Sequence, residues 1–167
     1  NDLLLESVLT FRYQDWFWKI QNQFRYYHRI GRKGNLATRV RLGISPDINS
    51  PFVPFVLDSY LNIRGSGNRV ARGTGEIVWN GEYRHTLWED GRYGAIQVVG
   101  FVDWGTWRTL DIKGRDMFRP ENMVLFYGGG IRLYIPKASH LILRADYGFR
   151  AGAVRENGLV LGVGQYF

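Results

Sequence analysis

Side chains that could act as acids, bases, nucleophiles or metal ligands are scattered along this sequence and do not recur at catalytic spacings. The three histidines, His28, His85 and His140, are isolated from one another and match no metal-ligand motif. The chain has no cysteine, which excludes disulfides and thiolate metal sites. It also lacks a Gly-x-Ser-x-Gly motif, which would present a nucleophilic serine on a tight turn. We therefore predict that the protein is not an enzyme and holds neither a metal nor a cofactor.

Charge and hydropathy narrow the functional classes further. The net charge of +7 would suit a nucleic-acid-binding protein, but the basic residues are spread along the chain without a Lys/Arg cluster, so we predict no nucleic-acid partner. Hydrophobic residues make up 45% of the sequence, yet no stretch approaches the roughly 18 uncharged apolar residues that a membrane-spanning helix needs. If the chain crosses a membrane, it must do so with strands.

Apolar and polar residues alternate along most of the chain, which is the period of a β-strand. In the segment 36–44, one face carries Leu36, Thr38, Val40, Leu42 and Ile44, and the other carries Ala37, Arg39, Arg41 and Gly43. A soluble β-sandwich or a lipocalin-like barrel would turn the apolar face inward. The many charged residues on the polar face instead favour an outer-membrane barrel, whose lumen is polar and whose outer face contacts lipid.

The alternation predicts eight strands and one domain over residues 1–167. The strands are expected at 3–15, 19–30, 35–45, 72–88, 93–104, 122–135, 140–150 and 158–167. Short connections at 31–34, 89–92 and 136–139 alternate with long ones at 46–71 and 105–121, as expected for short periplasmic turns and longer outer loops. The predicted fold class is all-β: a transmembrane, antiparallel, up-and-down β-barrel.

The last strand ends on an aromatic residue. Leu161, Val163 and Phe167 occupy alternating positions before and at that end, and this pattern resembles the C-terminal β-signal by which outer-membrane barrels are recognised during assembly. Gln165 departs from the pattern. The resemblance implies that these three residues form an assembly signal.

Four motifs in order along residues 58–167 resemble the BamA-like (bacterial surface antigen) superfamily. They are the loop segment 58–67 with Ile63, Arg64 and Gly65; the strand segment 80–84 with Glu82; the strand segment 101–107 with Phe101, Asp103, Gly105 and Trp107; and the glycine-rich strand 128–136 that ends in proline. Ser66 departs from the family, which usually has an aromatic residue there.

The resemblance implies a barrel of sixteen strands with the motif loop after the eleventh. Three predicted strands precede the loop here and five follow it, so the chain resembles the C-terminal half of such a barrel. Its eight strands either close alone or form half of a sixteen-stranded barrel.

The resemblance also implies that the long loop 46–71 folds back into the lumen and docks Arg64 on acidic residues of the wall. A guanidinium group in a narrow lumen loses hydration and needs a carboxylate partner, preferably a bidentate one. By strand parity Glu82 faces inward, and Asp103 lies on the adjacent predicted strand. We predict that Arg64 docks on Asp103 and Glu82.

The function implied by the resemblance is to assist the insertion or passage of polypeptides at the bacterial outer membrane. The partners would be outer-membrane lipid and lipopolysaccharide, together with unfolded outer-membrane polypeptides. Two alternatives remain open: a membrane-anchoring module of a larger protein, such as a patatin-like lipase fusion, and a passive structural barrel. A homodimer forming one sixteen-stranded pore is a further possibility.

Overall fold

The computed structural model describes residues 2–12, 17–45, 55–57, 62–67, 71–108, 114–152 and 155–167. These residues form ten strands and two short 3₁₀ turns. The strands are β1 (Asp2–Arg12), β2 (Phe17–Ile30), β3 (Gly34–Ile44), β4 (Phe55–Leu57), β5 (Ala71–Gly73), β6 (Gly75–Asp90), β7 (Gly94–Arg108), β8 (Met123–Ile135), β9 (Leu141–Arg150) and β10 (Asn157–Val163), and the 3₁₀ turns are Gly114–Asp116 and Pro120–Asn122.

Eight strands form one open antiparallel sheet in the order β1-β2-β3-β6-β7-β8-β9-β10, while β4 and β5 pair in a small separate sheet. Each strand of the large sheet pairs with the one before it, through seven antiparallel pairings. The all-β, up-and-down antiparallel order predicted from the alternation is therefore confirmed. In the described part of the chain β1 and β10 are the two edges of the sheet, and no helix there is long and apolar enough to cross a membrane.

The strand bounds differ from the prediction by one to three residues at several ends, and by more in the places that follow. The short pair β4 and β5 was not foreseen: β4 lies inside the loop predicted at 46–71, whereas β5 crosses from that loop into the strand predicted at 72–88. That predicted strand was wrong at its start, because β6 begins only at Gly75. Strand β7 runs to Arg108, beyond the predicted end at 104. The predicted strand 158–167 was wrong at its end, because β10 stops at Val163. There Gly164 takes a φ of +88°, a left-handed conformation open to glycine that turns the chain out of the extended strand.

The two faces of the sheet have the opposite polarity to those of a soluble domain. Charged and amide side chains of the inner face are buried, among them Arg39, Asn80, Glu82, Asp103, Arg132 and Asp146. Large apolar side chains of the outer face are exposed, among them Ile44, Trp79, Tyr83, Ile131, Leu143 and Phe149. The sequence alternation therefore appears in space as a polar interior and an apolar exterior.

The sheet curls around its inner face. The ring of Tyr166 lies 5.1 Å from the Arg39 guanidinium of β3 and 4.8 Å from the Arg144 guanidinium of β9. In a flat sheet these strands, four spacings apart, would be separated by about 19 Å. Side chains stand roughly perpendicular to a sheet, so their convergence on one ring requires curvature.

Candidate functional site

The segment Asn62–Gly67 lies against the inner face of the sheet, and Ile63 anchors it there. The Ile63 side chain is fully buried in an apolar cluster with Phe55, Val78, Trp107 and Phe126. Gly105 gives it room, since a Cβ atom at that position would lie 3.3 Å from Ile63 Cδ1. The predicted strand motif residues Gly105 and Trp107 thus pack directly on the predicted loop motif.

Glycines on β9 and β10 let the main chain of the loop approach the wall closely. A Cβ atom at Gly148 would lie 2.6 Å from the Arg64 carbonyl oxygen, and one at Gly158 would lie 2.9 Å from the Gly65 carbonyl oxygen. Gly65 itself has a φ of +87°, a conformation that residues with side chains rarely adopt. A larger residue at Gly148 or Gly158 would therefore collide with the main chain of the loop. The remainder of the predicted loop and its motif, at 46–54, 58–61 and 68–70, lies outside the described residues.

Arg64 is completely buried and contacts both carboxylates named in the sequence analysis. Its Nε and Nη2 atoms donate to the two oxygens of Asp103, each at 2.8 Å, which is a bidentate arrangement. Its main-chain N–H donates to Asp103 Oδ2 at 2.9 Å, and its Nη1 donates to Glu82 Oε2 at 2.5 Å. One residue of the loop is thereby held to β6 and β7 by four hydrogen bonds.

The ion pairing extends from Arg64 to three further arginines on the inner face. Glu82 also accepts hydrogen bonds from Arg84 of the same strand, and Arg132 Nη2 lies 3.9 Å from Glu82 Oε2. Arg132 forms a bidentate pair with Asp146, at 2.6 and 3.1 Å. Arg144 Nη1 lies 3.7 Å from the same carboxylate. Four strands, β6 to β9, thus contribute charges to one buried network.

Two aromatic rings lie over the Arg64 guanidinium. The ring of Phe101, one of the predicted strand-motif residues, is 3.8 Å from the guanidinium carbon, and that of Tyr166 is 4.1 Å from it. Burial disfavours the charge on Arg64, but the hydrogen bonds and charge of Asp103, with Glu82 adding to them, outweigh that cost and raise its pKa. Burial, and then the negative charge of Asp103, raise the pKa of the Tyr166 hydroxyl. Arg64 therefore stays charged and Tyr166 stays neutral.

Tyr166 is the contact that reasoning from the sequence missed. An uninterrupted strand to residue 167 would have left Tyr166 as one more lumen-facing side chain, without a specific partner. Gly164 is the signal that could have located it, because a glycine three residues before the aromatic end can turn the tail away from the strand. The turn carries Tyr166 onto the loop.

The residues of the predicted β-signal fall on both sides of that turn. Leu161 and Val163 project from the outer face of β10 and are strongly exposed. Phe167 lies beyond the strand, where its main-chain oxygen accepts a hydrogen bond from Arg84 Nη2 at 3.0 Å. Recognition of these residues by an assembly machinery stays a prediction.

Amide side chains complete the attachment of the loop on its other side. Asn80 Nδ2 donates to the Asn62 carbonyl oxygen at 2.7 Å. Arg39 donates to Asn80 Oδ1 from Nε and Nη2, at 3.0 and 2.7 Å. Arg41 donates to the side chain of Asn62. The alternation of residues 36–44 predicts Arg39 and Arg41 on the polar face but gives them no partner.

The histidines lie apart from this network. Each has a tyrosine ring nearby: Tyr26 beside His28, Tyr83 beside His85 and Tyr134 beside His140. Within the described ranges, no group of three or more His, Cys, Asp or Glu side chains is arranged to hold a metal ion. What the buried network can do chemically is fix a loop inside a curved sheet, through ion pairs shielded from water.

No protein-family model, curated protein or solved structure matches this chain.

Proposed function

We propose that the chain is the membrane-spanning part of a BamA-like outer-membrane barrel that assists the insertion or passage of other polypeptides. The observation that carries the membrane location is the polarity of the sheet, with exposed large apolar side chains outside and buried ion pairs inside. Exposed apolar areas of this extent mark interaction or membrane surfaces. A polar lumen inside an apolar band is the arrangement of outer-membrane barrels.

The complete barrel has more than eight strands in this proposal. A closed eight-stranded barrel has an interior filled by side chains. Here the inner face must also accommodate the main chain of Asn62–Gly67, which contacts β6, β7, β9 and β10. This supports the description of the chain as half of a sixteen-stranded barrel, with the other strands supplied by a longer protein or by a second copy.

The edge strand β10 is the element that would act on a client polypeptide. It is a seven-residue strand paired with β9 alone among the described residues, and an edge strand presents unpaired N–H and C=O groups to an incoming strand. The docked loop supports this edge from inside, because Gly65 packs on Gly148 of β9 and on Gly158 of β10. The ion pairs of Arg64, which hold the loop, would thus keep β10 in place to pair with an incoming strand.

The membrane assignment is tested by refolding the chain in a nonionic detergent and in lipid vesicles, where a second copy can supply the remaining strands. We expect an all-β circular dichroism spectrum and a band whose mobility on gels changes on heating. In plain buffer the exposed apolar face should cause aggregation. A stable, soluble monomer in plain buffer would refute the membrane assignment.

The assisting activity is tested separately, on vesicles that already contain the folded chain. The measurement is the folding rate of a second, unrelated outer-membrane barrel added from urea. We expect faster folding than into empty vesicles or into vesicles that hold a passive eight-stranded barrel at the same density. Equal rates in all three would remove the assisting function and leave the membrane location intact.

A membrane-anchoring module is the second candidate, and one observation favours it. The inner face is occupied by the loop, the tail and their ion pairs, so a wide aqueous passage is not a feature of the described part. Equal folding rates in the vesicle experiment, together with normal insertion of the chain itself, would support this candidate.

A further inference from the structure

A cavity of about 390 Å³ opens on the inner face near the short turn between β2 and β3. This volume lies within the range of roughly 300–1,000 Å³ that is usual for small-molecule sites. The charged residues that line it are Arg29, Arg32, Lys33, Arg84 and Glu89. A smaller cavity of about 180 Å³ adjoins it and shares Thr86, Glu89 and Gln97 with its lining.

Three of the four cations around this cavity have no carboxylate partner in the part of the chain that the structure describes. Arg84 is paired with Glu82, but the ion pairs among the described residues include none of Arg29, Arg32 and Lys33. These three side chains are exposed at the mouth of the cavity. Glu89, the one carboxylate in the lining, is also exposed and balances at most one of them.

The neutral part of the lining is polar as well. It includes the side chains of Asn35, Thr86, Gln97 and Tyr27. The side-chain oxygen of Asn35 is buried and has no hydrogen-bond partner within the described residues. A ligand here would therefore meet several cations, a deeper arginine and neutral groups that can donate or accept hydrogen bonds.

Phosphate is the chemical group that best matches this set. It carries negative charge on several oxygens, and guanidinium groups bind it with two parallel hydrogen bonds. A simple carboxylate would use only part of the available donors. The cavity has space for a phosphorylated molecule larger than the ion itself.

We propose that this cavity is a binding site for a phosphate-bearing ligand, either a soluble phosphorylated solute or the head group of a phospholipid. The proposal does not depend on the assisting function above. Arg32 and Lys33 provide the exposed charge at its mouth, and Arg84 forms its floor.

The test is isothermal titration calorimetry of the folded chain with pyrophosphate, in a phosphate-free buffer with nonionic detergent. We expect saturable binding at one site per chain. The Arg32→Gln/Lys33→Gln variant should bind at least about tenfold more weakly, since it loses two charge-assisted contacts. Arg92→Gln/Lys137→Gln is the matched control. It removes the same charge from the other two short turns, outside the cavity lining, and should change the affinity by less than about twofold.

Dihexanoyl phosphatidic acid, below its micelle concentration, identifies the source of the phosphate. Competition with pyrophosphate, or binding of this lipid alone, would assign the cavity to a lipid head group, and binding of pyrophosphate alone would assign it to a soluble ligand. Absence of saturable binding by both probes would overturn the proposal. An equal loss of affinity in the two double variants would also overturn it, because the ligand would then be attracted by the overall positive charge of the protein and not by this cavity. Circular dichroism of each variant checks that all are folded.

Discussion

Replacing Arg64 by alanine would remove the guanidinium group at the centre of the loop's attachment. The side chain makes two hydrogen bonds to Asp103 and one to Glu82, and none of the three side chains is reached by water. The two carboxylates are not affected equally. Glu82 keeps Arg84 as a close partner, whereas the only other hydrogen bond to Asp103 in the described structure is the main-chain N–H of residue 64. Most of the cost should therefore arise at Asp103.

The magnitude follows from that burial. Removing one member of a buried ion pair costs about 3–5 kcal/mol, because it leaves an uncompensated charge. We expect Arg64→Ala to lower the free energy of unfolding by this amount. Adding Asp103→Asn should recover part of the loss, since the neutral amide has no charge to compensate. The coupling between the two changes should be about 0.5–3 kcal/mol, the range for residues in contact.

The assay is urea unfolding of the refolded chain in lipid vesicles, followed by tryptophan fluorescence, for the two single variants and the double variant. Arg119→Ala is the control: Arg119 pairs with Asp116 at 3.1 Å but is 60% exposed, so its loss should cost about 0–1 kcal/mol. Limited proteolysis from outside should also cut the segment 46–71 faster in Arg64→Ala. A cost for Arg64→Ala no larger than that of the control, or strict additivity with Asp103→Asn, would refute the docking role.

Three further predictions concern the packing around the loop and the two faces of the sheet. Tyr166→Leu should lower the free energy of unfolding by about 0.5–2 kcal/mol, because it removes the cation–π contact with Arg64. Tyr166→Phe should be neutral or stabilising, because the buried hydroxyl has no partner in the described structure. If urea unfolding ranks the two variants the other way, the stacking is contradicted. Gly148→Ala should cost about 1–3 kcal/mol and loosen the loop, because the added methyl group would collide with the main chain of the loop. Gly100→Ala is the control: its methyl group meets no atom within 4 Å, so the rate of proteolysis of the loop should not change. Val40→Arg places a charge on the lipid face and should lower the free energy of unfolding by about 2–4 kcal/mol if residue 40 lies at the bilayer midplane. Arg39→Gln should cost only about 1 kcal/mol, since glutamine can still form a hydrogen bond with Asn80. Equal costs in vesicles would mean that the two faces are assigned wrongly.

The fold was predictable where a strict period of two ran without interruption. Over residues 36–44 the alternation identified both the strand and its polar face, and the structure has Arg39 buried and Leu42 exposed there. It failed where the signal was short or broken. Three-residue strands such as Phe55–Leu57 are too short to show a period, and Gly164 ended β10 inside an otherwise regular pattern.

The candidate site divides in the same way. Parity alone placed Glu82 on the inner face and Asp103 on the adjacent strand, where the register of β6 and β7 has them. The choice of Arg64 as their partner came from the family resemblance, since a loop arginine has no periodicity to locate it. Tyr166 could not be found in either way, because its position depends on a turn of the tail and on the depth of the curved sheet.

The charges of the inner face explain why tail and loop should behave as one unit. Four arginines, Arg64, Arg84, Arg132 and Arg144, contact the carboxylates of Glu82, Asp103 and Asp146, and Arg39 joins this set through the ring of Tyr166. Guanidinium groups thus outnumber carboxylates among these eight side chains, and a buried charge is costly unless other groups stabilise it. The tail supplies such groups: the ring of Tyr166 contacts three of the guanidinium groups, and the main-chain oxygen of Phe167 accepts from a fourth. Release of the tail would leave these arginines with fewer partners and weaken the seat of the loop. Because β10 leads directly into the tail, the strand proposed to meet incoming polypeptides is mechanically linked to the charge network that holds the loop.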